Sequence, residues 1–119
     1  MNFDFNTHEL AWAAGFFDGE GYVAARLNFV GKPNKRAIVI RVDQHSDNQV
    51  VLFRFSRALG TRQKHKGDIH VNGTKPYATF AITNFEGVQF AIALLWLYLS
   101  PLKKQQARKA LLSYRRIEV

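Results

Sequence analysis

Two carboxylates separated by one glycine stand in the run Asp18-Gly19-Glu20-Gly21, directly after an alanine-rich stretch. Carboxylates are hard oxygen donors, and a divalent cation can bridge them to phosphate. The charge around them points to phosphate as well. Residues 1–25 carry Asp4, Glu9, Asp18 and Glu20 and no Lys or Arg, a local charge of −4. Residues 26–75 carry eleven Lys or Arg against Asp43, Asp47 and Asp68, and the whole chain of 119 residues has a net charge of +8. A basic surface of that kind suits a polyanion, of which nucleic acid is the commonest. Acids clustered beside such a surface weaken plain backbone binding, so a metal is the chemistry that reconciles them. The absence of Cys removes a thiol nucleophile, a disulfide scaffold and a Cys-ligated zinc site. His8, His45, His65 and His70 stand singly, without zinc spacing. Gly19 and Gly21 are not followed by a Lys at the spacing of a phosphate-binding loop.

The elements that must position the two acids follow from periodicity. A first helix is expected from Thr7 to Phe17, capped by Thr7 and broken by the glycines at 19 and 21. Tyr22 to Phe29 reads as a strand, Gly31 to Lys35 as a turn, and Arg36 to Val42 as a second strand with Ile38, Ile40 and Val42 on one face. A second helix runs from Asn48 to Leu59, stopped by Gly60. Thr61 to Lys66 and Lys75 to Thr83 read as a second strand pair, with Ile69-His70-Val71 open to a short strand. A third helix runs from Thr83 or Asn84 to Leu99, and a fourth from Ser100-Pro101 to Arg115. The order implies a single α+β domain over residues 1–119: an αββαββα arrangement with an added C-terminal helix. It would hold a four-stranded antiparallel curved sheet with its helices on one face. The other face is then free to enter a DNA groove.

Within the first helix, Ala11, Ala14, Gly15 and Asp18 fall at i, i+3, i+4 and i+7 and are expected to form one smooth face. Small residues let two helices cross closely. If two copies cross there, two Glu20 carboxylates meet near the dyad, where like charges need a cation between them. For Asp18 the competing reading is a hydrogen bond at the helix end.

The run Ala13-Ala14-Gly15-Phe16-Phe17-Asp18-Gly19-Glu20-Gly21, within a motif over residues 10–21, resembles the motif of the LAGLIDADG homing endonucleases position by position. Ala13 stands for the leading leucine, Phe16-Phe17 for the aliphatic pair and Glu20 for the second aspartate. The resemblance extends along nearly the whole chain through the order of its elements. One motif with no second copy implies the homodimeric type, with Ala11, Ala14, Gly15 and Asp18 at the interface and a near-palindromic DNA target. It implies Glu20 as the metal-binding acid with the carbonyl of Gly19 beside it, and Mg2+ or another divalent cation as cofactor. It implies Gln44 as the residue that positions water. It also implies Lys103, or Lys104 if the register slips, as the charge near the phosphate, so that Glu20, Gln44 and Lys103 form the catalytic set. Carried over by strand position, the DNA readers are Ala24, Arg26, Asn28, Lys35, Ala37, Val39, Arg41, Arg62, Lys64, Lys66, Tyr77 and Thr79.

The function implied is a site-specific, metal-dependent endonuclease that makes double-strand breaks and promotes intron or intein homing. The competing reading is a non-catalytic DNA-binding regulator, or an intron maturase with RNA as partner. The longest apolar run, Phe90 to Leu99, is half the length a membrane span needs, and no secretory signal is visible. An intracellular protein without a membrane partner is therefore expected, in a compartment the sequence leaves open.

Overall fold

A computed structural model describes residues 6–29, 32–60, 68–71 and 76–115. Its elements run α1 (Thr7–Glu20), β1 (Gly21–Phe29), β2 (Lys32–His45), α2 (Val50–Ala58), β3 (Asp68–Val71), β4 (Tyr77–Ile82), α3 (Phe85–Leu95) and α4 (Pro101–Arg115). Short 3₁₀ turns at Ser46–Asn48 and Trp96–Tyr98 lead into α2 and out of α3. The sheet is antiparallel in the order β1-β2-β4-β3.

The alternation of each strand decides which face is covered. Val23, Ile38, Ile40, Val42, Ala78, Phe80 and Ile82 are buried, and the register lines Val23 up with Ile40 and Val42 with Phe80. Onto this face pack α1, α3 and α4 through Phe17, Val88, Leu95 and Ala107, while α2 adds Leu52 and Phe55. Phe55 sits among Phe16, Phe17 and Phe80, with ring centroids 5.7, 6.2 and 5.2 Å away. Interlocked rings of this kind dominate the burial of a small core. On the opposite face Tyr22, Ala24 and Arg26 are exposed and Ala37, Val39 and Arg41 half-buried, with α4 bordering only its β1 edge near Tyr22 and Ala24.

Helix ends follow their local chemistry. The Asn84 side chain caps α3 by accepting from the Gly87 N–H at 2.6 Å. Ser100 caps α4, its Oγ accepting from the Lys103 N–H at 3.2 Å, and Pro101 takes the first helical position, where no donor is needed. Gly60 follows α2 at a φ of 87°, the left-handed conformation that closes a helix and that side chains resist.

Several expected boundaries are corrected. α1 starts one residue earlier in its capping, because Asn6, not Thr7, accepts from the Glu9 N–H. It also continues through Asp18 and Gly19 to Glu20. One exposed glycine near a helix end costs at most about 1 kcal/mol, less than the anchoring of Phe17 and Asp18 returns. β2 begins at Lys32 rather than Arg36, absorbing most of the expected turn by an irregularity opposite Leu27 to Phe29. α2 starts at Val50, after the 3₁₀ turn, and α3 ends at Leu95. On its side away from β2, the described partner of β4 is the short strand Asp68–Val71. The expected strand over 61–66, with Arg62, Lys64 and Lys66, lies outside the described residues.

Candidate nuclease site and nucleic-acid interface

The alanine-rich motif occupies α1 and its exit into β1. Leu10, Ala13, Ala14 and Phe17 face the core, and Ala14 is completely buried. Ala11, Gly15 and Gly19 are exposed on the opposite side, and a Cβ placed at Gly15 or Gly19 would meet nothing within 4 Å. The expected face of Ala11, Ala14, Gly15 and Asp18 is therefore corrected. At 100° per residue, position 14 turns into the core, and the bare stripe runs along Ala11, Gly15 and Gly19.

Asp18 is taken as well. Its carboxylate accepts from the Ser100 N–H at 3.1 Å and from the Ser100 hydroxyl at 3.0 Å. Ser100 in turn caps α4, so one carboxylate ties the end of α1 to the start of α4. A second tie lies one turn along. Lys103 is only 7% exposed, and its ammonium donates to the carbonyl of Gly21 at 2.7 Å beneath the Phe17 ring. Gly21 has no room for a side chain, since a Cβ there would collide with the Phe17 ring. Glu20 lies between these two fastened positions. It is exposed, and it makes no hydrogen bond or ion pair among the described residues.

Gln44 sits at the same end of the sheet. Gly21 pairs with Val42, so Gln44 is two residues beyond that pair on the core-facing side, next to where α1 enters β1. It is half-buried, and its Oε1 accepts from the Asn48 side chain at 3.1 Å. The structure thus gathers Glu20, Gly19, Gln44 and Lys103 around the exit of α1. Lys104 does not join them, its ammonium lying 5.4 Å from the centre of the Trp96 ring.

On the open face of the sheet, Ala24, Arg26, Ala37, Val39 and Arg41 line a cavity of about 490 Å³ with Tyr22 and Thr79. Tyr77 pairs with His45 on the same face. Thr79 corrects its expected role as a freely accessible reader. It is 1% exposed, and its hydroxyl donates to Asp43 at 2.6 Å. Arg41 donates through Nε to the same carboxylate at 3.1 Å, and this bond, with the charge of Asp43, raises the guanidinium above its ordinary basicity. Asn28 and Lys35 belong to β1 and β2, but their side chains lie outside the described part.

Away from the site, the flank of α1 is fastened to α2. Arg54 grips Glu9 with two bonds of 2.9 and 2.7 Å and lies 3.8 Å over the Trp12 ring. The hydrogen bond from Arg54 holds the Glu9 carboxyl below its ordinary range.

Ser100 and Asp43 are the residues that sequence reasoning left out. Ser100 was visible as a helix cap, but its second bond, to Asp18, spans 82 residues. Asp43 had a local signal: it stands two residues after Arg41 on one strand, which puts both on one face.

Similar architectures are known among solved structures. The structure of I-CvuI in complex with its target (Sro1.3) in the presence of 2 mM Ca superposes with a TM-score of 0.75 at 23% identity, covering 93% of this chain and 70% of that one. I-AabMI, a LAGLIDADG meganuclease bound to uncleaved DNA, gives 0.71 at 20% identity over 90% of this chain and 35% of its own. The chain has the LAGLIDADG homing endonuclease fold. I-TnaI, a homing endonuclease, matches with a TM-score of 0.65 at 21% identity, covering 98% of this chain and 71% of that one. No protein-family model and no curated protein matches the sequence. No helix among the described residues is long and apolar enough to cross a membrane.

Proposed function

We propose that this protein is a site-specific DNA endonuclease that works as a homodimer with a divalent cation, preferentially Mg2+, and breaks both strands of a long near-palindromic site. The observation that carries the reading is Glu20: an exposed carboxylate, unpartnered among the described residues, held between two positions that are each fastened to α4. A carboxylate kept free at such structural cost suits a ligand from outside the chain.

The second copy is needed by the chemistry. Among the described residues, no three His, Cys, Asp or Glu side chains gather as a metal cluster. A hard cation takes about six oxygen donors. One Glu20 does not satisfy that demand. Two Glu20 carboxylates with Gly19 carbonyls and DNA phosphate oxygens do. The stripe of Ala11, Gly15 and Gly19 lets two α1 helices cross closely enough to bring the carboxylates together.

A divalent cation held there by Glu20 and the Gly19 carbonyl would supply charge neutralisation at the scissile phosphate and a lowered pKa for a bound water. Gln44 orients the attacking water. Lys103 fixes the carbonyl of Gly21, and its ammonium adds positive potential at the phosphate. The open sheet face lies in the major groove. There Arg26, Arg41, Tyr77, Ala24, Ala37 and Val39 face base edges. Asn28, Lys35, Arg62, Lys64 and Lys66 are assigned to the DNA contacts by the resemblance to the family, as readers of bases or holders of phosphate. The biological role that fits is intron or intein homing.

Incubation with Mg2+ and a library of duplexes tests this directly. Discrete double-strand breaks that vanish in Glu20→Gln, with DNA binding retained, are the expected outcome. Selective binding without cutting would make the chain a non-catalytic binder, and preference for structured RNA would make it a maturase.

A further inference from the structure

We propose that Asp43 is a positioning residue that sets Arg41 to read a guanine, in place of the phosphate contact an unconstrained Arg would make. The inference rests on the reading of the sheet face as the DNA surface. It starts from an anomaly: a carboxylate on the face that should meet a polyanion.

Asp43 does not point idly at solvent. It and Arg41 stand two residues apart on β2 and share the outer face. Its cross-strand partner is Thr79, whose buried hydroxyl donates to Oδ1 at 2.6 Å. The same oxygen accepts from Arg41 Nε at 3.1 Å. The hydroxyl holds the carboxylate, and the carboxylate holds the guanidinium. A long side chain with several rotatable bonds is thereby biased toward one arrangement before any ligand arrives.

The geometry selects the ligand. Asp43 occupies Nε alone, and so leaves the two terminal amino groups of Arg41 uncommitted to it. A planar pair of donors matches the O6 and N7 acceptors of guanine in the major groove. The charge works in the same direction. An Arg–carboxylate pair has little net charge, so backbone attraction is weak, and the partly exposed carboxylate repels a phosphate placed beside it. A base edge, which is neutral, carries no such penalty.

The test measures binding by the full chain to duplexes randomised across a near-palindromic site, so that catalysis plays no part. The wild type should prefer guanine at one position per half-site, and Arg41→Ala should remove that preference. Asp43→Asn, close in shape, should reduce the same preference roughly ten-fold while other positions keep theirs. It should also steepen the salt dependence by about one phosphate contact. Thr79→Val, which removes only the hydroxyl, should lower the preference by a smaller factor. The double variant Arg41→Ala/Asp43→Asn should select no worse than Arg41→Ala alone. Should Asp43→Asn fail to fold, Thr79→Val reads the same tie. An unchanged guanine preference in these variants, or a uniform loss at every position, overturns the proposal. A wild type that selects no DNA sequence overturns the functional reading beneath it and this proposal with it.

Discussion

The two sides of α1 end in opposite states. On one side Asp18 is bound to Ser100, Gly21 is bound to Lys103, and Ala14 and Phe17 are sealed in the core. On the other, Ala11, Gly15 and Gly19 are exposed, and Glu20, the last residue of the helix, makes no hydrogen bond or ion pair among the described residues. The same few residue types, small side chains and acids, serve both. Along the stripe the difference is angular, since neighbouring positions are 100° apart, whereas Glu20 is left exposed because it ends the helix between two fastened positions, Asp18 and Gly21. An acid in a motif is therefore no guide to its role until its partner is known.

The comparison breaks most readily at its crowded side. Gly21→Ala forces a methyl into the Phe17 ring and should destabilise the protein by about 1–3 kcal/mol, read by chemical denaturation. Asp18→Ala should cost about 1–2 kcal/mol, because the Ser100 N–H loses its charged acceptor. On the bare side the sign should reverse. Gly15→Ala meets no atom, and should raise the stability of the isolated chain by roughly 0.5–1 kcal/mol through helix propensity. Gly15→Leu should leave single-chain stability alike but abolish association, measured by sedimentation. A fall in stability for Gly15→Ala would mean that this side is packed after all.

The smallest effect is expected where α1 meets α2. Arg54 holds the Glu9 carboxyl below its ordinary value of 4.5, so the folded state favours the ionised form. That contribution is fully present above the unfolded value, and is lost as pH falls through the folded one. Against Glu9→Gln, the wild type should lose a small stability advantage only below about pH 4.5, and salt should diminish it.

Much of this arrangement is legible in the sequence because local rules agree with the fold. Asn84 and Ser100-Pro101 announce helix starts, Ile38, Ile40 and Val42 announce a covered strand face, and the 10–21 motif announces the site. What was misread depends on distant partners. The helix was ended before Asp18 because two glycines signal a break, whereas Ser100, from the far end of the chain, holds that turn helical. Ala14 was placed on the open stripe because small residues look alike, and only the orientation of the whole helix distinguishes 14 from 15. Lys32 to Lys35 looked like a turn by composition, yet pairing with β1 carries the strand through them. Thr79 alternates like a reader, yet it is 1% exposed, lies between β2 and β3, and gives its hydroxyl to Asp43.

The account turns on Glu20 being free for chemistry and unimportant for the fold. The most direct measurement is Mg2+-dependent cleavage of a selected DNA site by Glu20→Gln, with thermal unfolding recorded on the same sample. The account predicts an unchanged melting temperature, retained DNA binding and cleavage reduced by at least about a hundred-fold. Cleavage at the wild-type rate, or a loss that tracks a lowered melting temperature, would contradict it.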